Sequence, residues 1–126
     1  MKEVYFGFEK LDVWKMAKDV AVAVYSAIKL FPEMERYGLT SQLTRAAVSV
    51  SANIAEGSGR KSSKDRAHFY QIAYASLMET LSHLSISLEL HYIEKTVYDE
   101  LRTRIFHLSR MLNALYNSQI SSGAKK

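Results

Sequence analysis

Apolar residues recur every three or four positions through four stretches of the chain, the spacing that gathers side chains on one face of an α-helix. In the first stretch Trp14, Ala17, Ala21, Val24, Ile28 and Phe31 share a face. Pro32 ends it, because its ring and missing N–H cannot continue the hydrogen-bond ladder. The second, Leu39 to Gly57, carries Leu43, Ala46, Val50 and Ile54 inward, and Gly57 is expected to close it in the left-handed conformation of a helix cap. Ser62 or Ser63 can cap the third, with Asp65 well placed in its first turn. That helix is expected to reach Tyr92, about 40 Å on, with Tyr70, Ala73, Leu77, Leu81, Leu84 and Leu88 on one stripe. A short link, 93–96, returns the chain antiparallel, and Thr96 with Asp99 resembles a capping pair. Val97, Leu101, Ile105, Leu108, Leu112 and Leu115 then mark a fourth helix. No stretch alternates with period two. The pattern predicts an all-α, antiparallel up-down-up-down four-helix bundle, one domain over residues 1–126, with flexible ends of about eight residues at the N-terminus and over 119–126.

Two segments break the rule that a surface helix keeps a charged side. No charge occurs from Val20 to Ile28 or from Ala46 to Ala55. On the second helix the face opposite the core is Thr44, Val48, Ser51 and Ala55, small and uncharged. A helix without a charged face is covered from several sides, and in so small a domain a second copy of the chain is the expected cover. About a quarter turn from the apolar stripe runs a polar one, Gln42, Arg45, Asn53 and Glu56. Arg45 is expected to find a carboxylate in Glu56, or in Glu79 of the facing helix, as a register-setting pair rather than an anion site.

Composition narrows the chemistry. With no cysteine there are no disulfides, thiol nucleophiles or thiolate metal sites. Glu79, His83, His91 and Glu94 do not make the paired Glu-x-x-His pattern of di-iron bundles, so no metal or other cofactor is expected. The serines have no base and orienter assignable to them, which points away from an enzyme. The Gly57–Gly59 run before Arg60 and Lys61 lacks the strand and Lys-Ser/Thr offset of a phosphate loop and reads as a cap and turn. No apolar run spans a bilayer and MKEVYFGFEK contains no signal-peptide stretch, so a cytoplasmic protein without membrane contact is expected.

The net charge is +4. Arg60, Lys61, Lys64 and Arg66 cluster at one turn beside the start of the third helix, where free N–H groups and the helix dipole also favour anions. Such a turn can contact RNA or DNA phosphates; it can equally be an ordinary solvated loop. Tyr5, Phe6 and Phe8 could stack on bases, although packing at the first helix is their more ordinary use.

Three stretches resemble a known family: Leu11–Trp14 with Ala17; Tyr37–Leu39 with Gln42, Arg45, Ala46, Ala47 and the run Asn53–Gly57; and Phe69, Ala73, Ser76, Leu77 and Glu79. They are similar to the ribosomal-protein-like four-helix bundles encoded in intervening sequences of large-subunit ribosomal RNA genes. The resemblance implies an antiparallel bundle and ring-like homo-oligomers, with pentamers as the expected assembly. It also implies kinship with the basic accessory proteins of diversity-generating retroelements, which bind nucleic acid and a reverse transcriptase. Thr44 stands where many members have a second Arg beside Arg45, and Ala75 where a Gly is common. Two functions remain open at this point. One is a non-catalytic oligomeric module that binds RNA or DNA phosphates; the other is a protein–protein scaffold, or accessory subunit of another protein, whose basic charge is incidental.

Overall fold

The computed structural model describes residues 3–124, and among these every regular element is helical: α1 Asp12–Ala27, α2 Leu39–Ser58, α3 Ser63–Glu89 and α4 Lys95–Ala124, with short 3-10 turns around α1 and before α2. α2 packs on α1 and α3, α3 packs on α4, and α4 returns against α1. Ser49 meets Ser76 and Gly57 lies against Tyr70, so α2 and α3 run in opposite directions. Ser85 bonded to Tyr98 and Arg66 bonded to Gln119 show the same for α3 and α4.

The predicted stripes form the core. Ala17, Val24, Leu43, Val50, Ile54, Leu77, Leu84, Ile105, Leu108 and Leu112 are all buried in one cluster drawn from the four helices. Each buried Leu or Ile contributes about 2 kcal/mol. Two polar residues are fully buried, and both are satisfied within their own helix: Thr80 and Ser87 donate to the carbonyls of Ser76 and His83, at 2.8 Å each. At the start of α4 Tyr98 is buried in place of the expected Val97, which is 38% exposed.

The helix ends differ from the sequence expectation for local reasons. α1 tightens into a 3-10 turn over Ile28–Leu30, and Phe31 is already extended (φ −69°, ψ 146°). A residue before proline is pushed out of the helical region, so Pro32 acts one residue upstream of itself. α2 passes through Gly57 to Ser58, and no glycine among the described residues has positive φ. Gly57 therefore serves close approach instead of a left-handed cap: a Cβ there would lie 2.8 Å from Tyr70 Cε1 and 2.9 Å from Phe69 Cβ. Ser62 caps α3 as expected, its Oγ accepting the Asp65 N–H at 3.1 Å.

α3 stops at Glu89, three residues short of Tyr92. The His91 N–H reaches the Leu88 carbonyl and the Tyr92 N–H reaches that of Ser87, the two bonds of a Schellman cap. The left-handed position is held by His91, at φ 62°. α4 begins before Thr96, and Asp99 holds Lys95 Nζ at 3.0 Å rather than capping with Thr96. It then continues as helix into the stretch expected to fray, as far as Ala124; residues 125 and 126 of that stretch lie outside the described residues.

A non-glycine residue in the left-handed region costs about 1–2 kcal/mol. His91→Gly should therefore raise the unfolding free energy by about 1 kcal/mol, seen as a higher urea midpoint at unchanged slope. An unchanged or lower midpoint would show that the imidazole stabilises the cap by more than its backbone strain.

Candidate nucleic-acid interface

The turn between α2 and α3 brings Arg60, Lys61, Lys64 and Arg66 together, but they do not share one role. Arg66 is turned inward. Its Nε donates to Gln119 Oε1 at 2.7 Å, Nη1 to the carbonyls of Arg60 and Lys61 at 2.9 Å each, and Nη2 to Ser63 Oγ at 3.1 Å. The planar fork thereby closes the turn and ties it to the far end of α4. Arg60 bonds Glu56 Oε1 at 2.7 Å and lies 4.5 Å from the Phe69 ring centre. Lys61 and Lys64 are exposed and pair with no carboxylate among the described residues. The turn thus offers two uncompensated lysines to an anion.

The polar stripe also divides. Asn53 Nδ2 donates to Ser49 at both its carbonyl (2.8 Å) and its Oγ (2.9 Å), and Ser49 Oγ meets Ser76 Oγ at 3.0 Å. This chain of neutral hydrogen bonds links α2 to α3. Arg45 takes neither expected carboxylate, because Glu56 is held by Arg60 and Glu79 sits 3.2 Å from His83 Nε2. Glu56 lies three turns farther along the same helix, about 16 Å of rise away, beyond side-chain reach. Gln42 and Arg45 are exposed, and Arg45 lines a shallow groove with Tyr25, Thr44, Val48 and Ser49.

That groove borders the uncharged face of α2. Val48 is 43% exposed, Tyr25 of α1 in the same groove is 50% exposed, and Val22, one turn before Tyr25 on α1, is 61% exposed. Thr44 Oγ1 donates back to the Thr40 carbonyl at 3.0 Å and Ser51 Oγ to that of Val48 at 3.1 Å. With these hydroxyls spent on their own helix, the strip Thr44, Val48, Ser51 and Ala55 turns mainly methyl and methylene surface outward. At the N-terminus Tyr5 and Phe6 are exposed, while Phe8 packs edge-on against Trp14 at 4.9 Å.

Among the described residues no group of three or more His, Asp or Glu is placed to hold a metal ion. Among the described residues no helix is long and apolar enough to cross a membrane. Two phenols with displaced acidities join neighbouring elements: Ser85 and then Arg102 hold Tyr98 below the usual tyrosine range, and the hydrogen bond to Glu35 raises Tyr92. Glu35 is itself occupied, since its other oxygen accepts the Leu39 N–H that opens α2. His83 Nδ1 is buried without a hydrogen-bond partner among the described residues, one turn from Glu79. A cleft of about 980 Å³, open to solvent, lies between the end of α1 and the α3–α4 link, with Leu30, Leu88, Tyr92 and Val97 in its wall.

Residues 9–114 match the family of 23S rRNA-intervening sequence proteins. The chain belongs to that family. A crystal structure of a protein of unknown function from the S23 ribosomal protein family, from Bacteroides thetaiotaomicron VPI-5482, superposes with a TM-score of 0.76 at 23% identity. The match covers 82% of this chain and 97% of that one, and it establishes a shared fold. No curated protein matches the chain. Family membership thus carries the four-helix architecture and no defined activity.

Sequence reasoning missed the Arg66–Gln119 tie, which joins residues 53 positions apart. The only hint was a lone Arg six residues after Arg60 with a polar Gln near the chain end. Arg66→Gln should lower stability by about 2 kcal/mol through loss of charge-assisted bonds, whereas Lys64→Gln should stay within about 0.5 kcal/mol of the parent. Urea unfolding of the two variants side by side measures this; equal effects would mean that the brace is not holding the turn.

Proposed function

We propose that this protein is a non-catalytic, self-associating helical module, cytoplasmic, whose assemblies bind RNA or DNA through phosphates. The observation that carries the reading is the exposed apolar strip of α2 with Tyr25 of α1 beside it. A monomer leaves this surface in water, and a second copy removes it. Among related bundles ring-like assemblies, pentamers in particular, are the expected form, so we take a closed homo-oligomer as the working state. In such a ring Lys61 and Lys64 would recur once per subunit, and weak phosphate contacts at each copy would add along one strand. The +4 charge of the chain is consistent with an anionic partner.

The protein–protein scaffold remains the second reading, favoured by one specific observation. Two of the four cations at the turn are already compensated or engaged within the chain, which weakens that turn as a phosphate site. A protein partner would then occupy the apolar strip or an end of the assembly.

Val48→Glu places an unpaired charge at the centre of the strip, where burial is costly. The variant should fall to a smaller mass by light scattering while keeping its helical circular dichroism; equal masses for variant and parent would remove the strip as the association surface.

Binding of fluorescent single-stranded and structured RNA should depend steeply on salt. If about four phosphates are neutralised, a fourfold rise in salt weakens binding about 100-fold. Salt-insensitive or absent binding, with a defined protein still captured after nuclease treatment, would decide for the scaffold.

A further inference from the structure

The charge of the chain is not spread evenly. Residues 1–100 hold twelve Lys and Arg against thirteen Asp and Glu. Residues 101–126 hold three Arg and two Lys and no acidic residue at all, so the whole positive excess lies on α4 and the residues after it. Of the three arginines, Arg104 is neutralised by Glu100 at 2.9 Å. Arg102 donates Nη1 to the Tyr98 hydroxyl at 3.0 Å, a neutral acceptor that leaves its charge uncompensated. Arg110 has no carboxylate partner among the described residues and lies 5.9 Å from the centre of the Phe106 ring.

Phe106 is 56% exposed, between the buried Ile105 and Leu108. It stands midway between Arg102 and Arg110, at intervals of four residues that keep all three on the outer side of the helix, over about 12 Å. The His107 ring meets it edge-on at 5.8 Å. Two to three turns farther on, Gln71 and Tyr74 of α3 and Asn113 and Tyr116 of α4 line a small groove of about 230 Å³. An exposed aromatic plane between two uncompensated guanidinium groups suits a base stacked on the ring with its flanking phosphates on the arginines. A duplex hides its base faces; a single strand presents them.

We propose that the outer face of α4, with Phe106 between Arg102 and Arg110, is where the protein takes single-stranded nucleic acid. This rests on the nucleic-acid reading above and moves its contact surface away from the turn at Lys61 and Lys64. The groove at Gln71 and Asn113 supplies neutral donors and acceptors to the next base, while the arginines hold the backbone without regard to sequence.

The test uses the full chain and fluorescence anisotropy with labelled oligo-uridine and oligo-thymidine at two salt concentrations. Phe106→Ala should weaken binding at least about tenfold with little change in salt slope. Arg102→Gln with Arg110→Gln should reduce the slope by about 1.4, the share of two single-strand phosphates. Lys61→Gln with Lys64→Gln should leave both quantities near the parent's. The two oligomers separate RNA from DNA as the strand held, and either result is compatible with the surface. Loss confined to the Lys61 and Lys64 variant would overturn this surface and leave the broader binding function standing. A parent protein that binds neither oligomer at low salt would remove both. A Phe106→Ala protein of altered mass that binds normally would reassign the ring to a subunit contact and also overturn the proposal.

Discussion

The bundle is organised around the close contact of α2 and α3 at Gly57. With no Cβ in the way, the Tyr70 and Phe69 side chains settle against the α2 backbone, at distances that any larger residue would turn into overlap. Tyr70 is then buried and Phe69 half-buried, and the latter offers its face to the Arg60 guanidinium. Beside this contact Arg66, one helical turn into α3, reaches back to the carbonyls of Arg60 and Lys61. The same guanidinium reaches forward to Gln119 and so ties α4 into the joint. A buried Leu contributes about 2 kcal/mol wherever it sits, so the core supplies most of the stability. The Gly57–Tyr70–Arg66 joint determines instead how three of the helices are placed relative to one another.

Helix number, inward faces and most core residues were legible in the sequence, because a period of 3.6 is a property of the chain itself. Trp14 to Phe31, Leu43 to Ile54 and Leu101 to Leu112 needed only counting. The helix ends were less legible, since each depends on a choice among nearby groups. Gly57 and His91 illustrate this. A Gly near the end of an apolar run suggests a left-handed cap, yet here the Gly stays helical for packing and a His takes the left-handed position of another helix. Propensity ranks the residues for such a site, but the Schellman bonds at Ser87 and Leu88 stabilise the cap whichever residue occupies it.

The candidate surfaces were legible to a smaller degree, and for a different reason. A cluster of cations in sequence says nothing about whether each charge is already spent. Arg60 and Arg66 are spent on Glu56, on a ring and on backbone carbonyls, because a turn following a helix has unpaired carbonyls to satisfy and an Arg fork is the side chain best shaped to do it. Serine and threonine mislead in the opposite direction. Thr44 and Ser51 make α2 look polar in a hydropathy reading, yet their hydroxyls bond the preceding turn and leave an apolar strip outside.

Charge compensation, more than charge number, therefore decides which surface of this protein can attract an anion. Coulombic attraction between exposed groups about 4 Å apart is worth only about 1 kcal/mol in water, so an arginine already facing a carboxylate has little left for a phosphate. Arg60 and Arg104 are in that position. Lys61, Lys64, Arg102 and Arg110 are not, and they fall in two separate places. At the turn the lysines stand at the start of α3, whose dipole adds a modest attraction; on α4 the arginines flank an exposed aromatic ring and no acid follows them in the chain. A phosphate alone would distinguish weakly between the two. A base distinguishes them more sharply, because the α4 face offers it an exposed aromatic ring between two guanidinium groups that face no carboxylate among the described residues, and stacking, unlike a long-range Coulomb term, survives physiological salt.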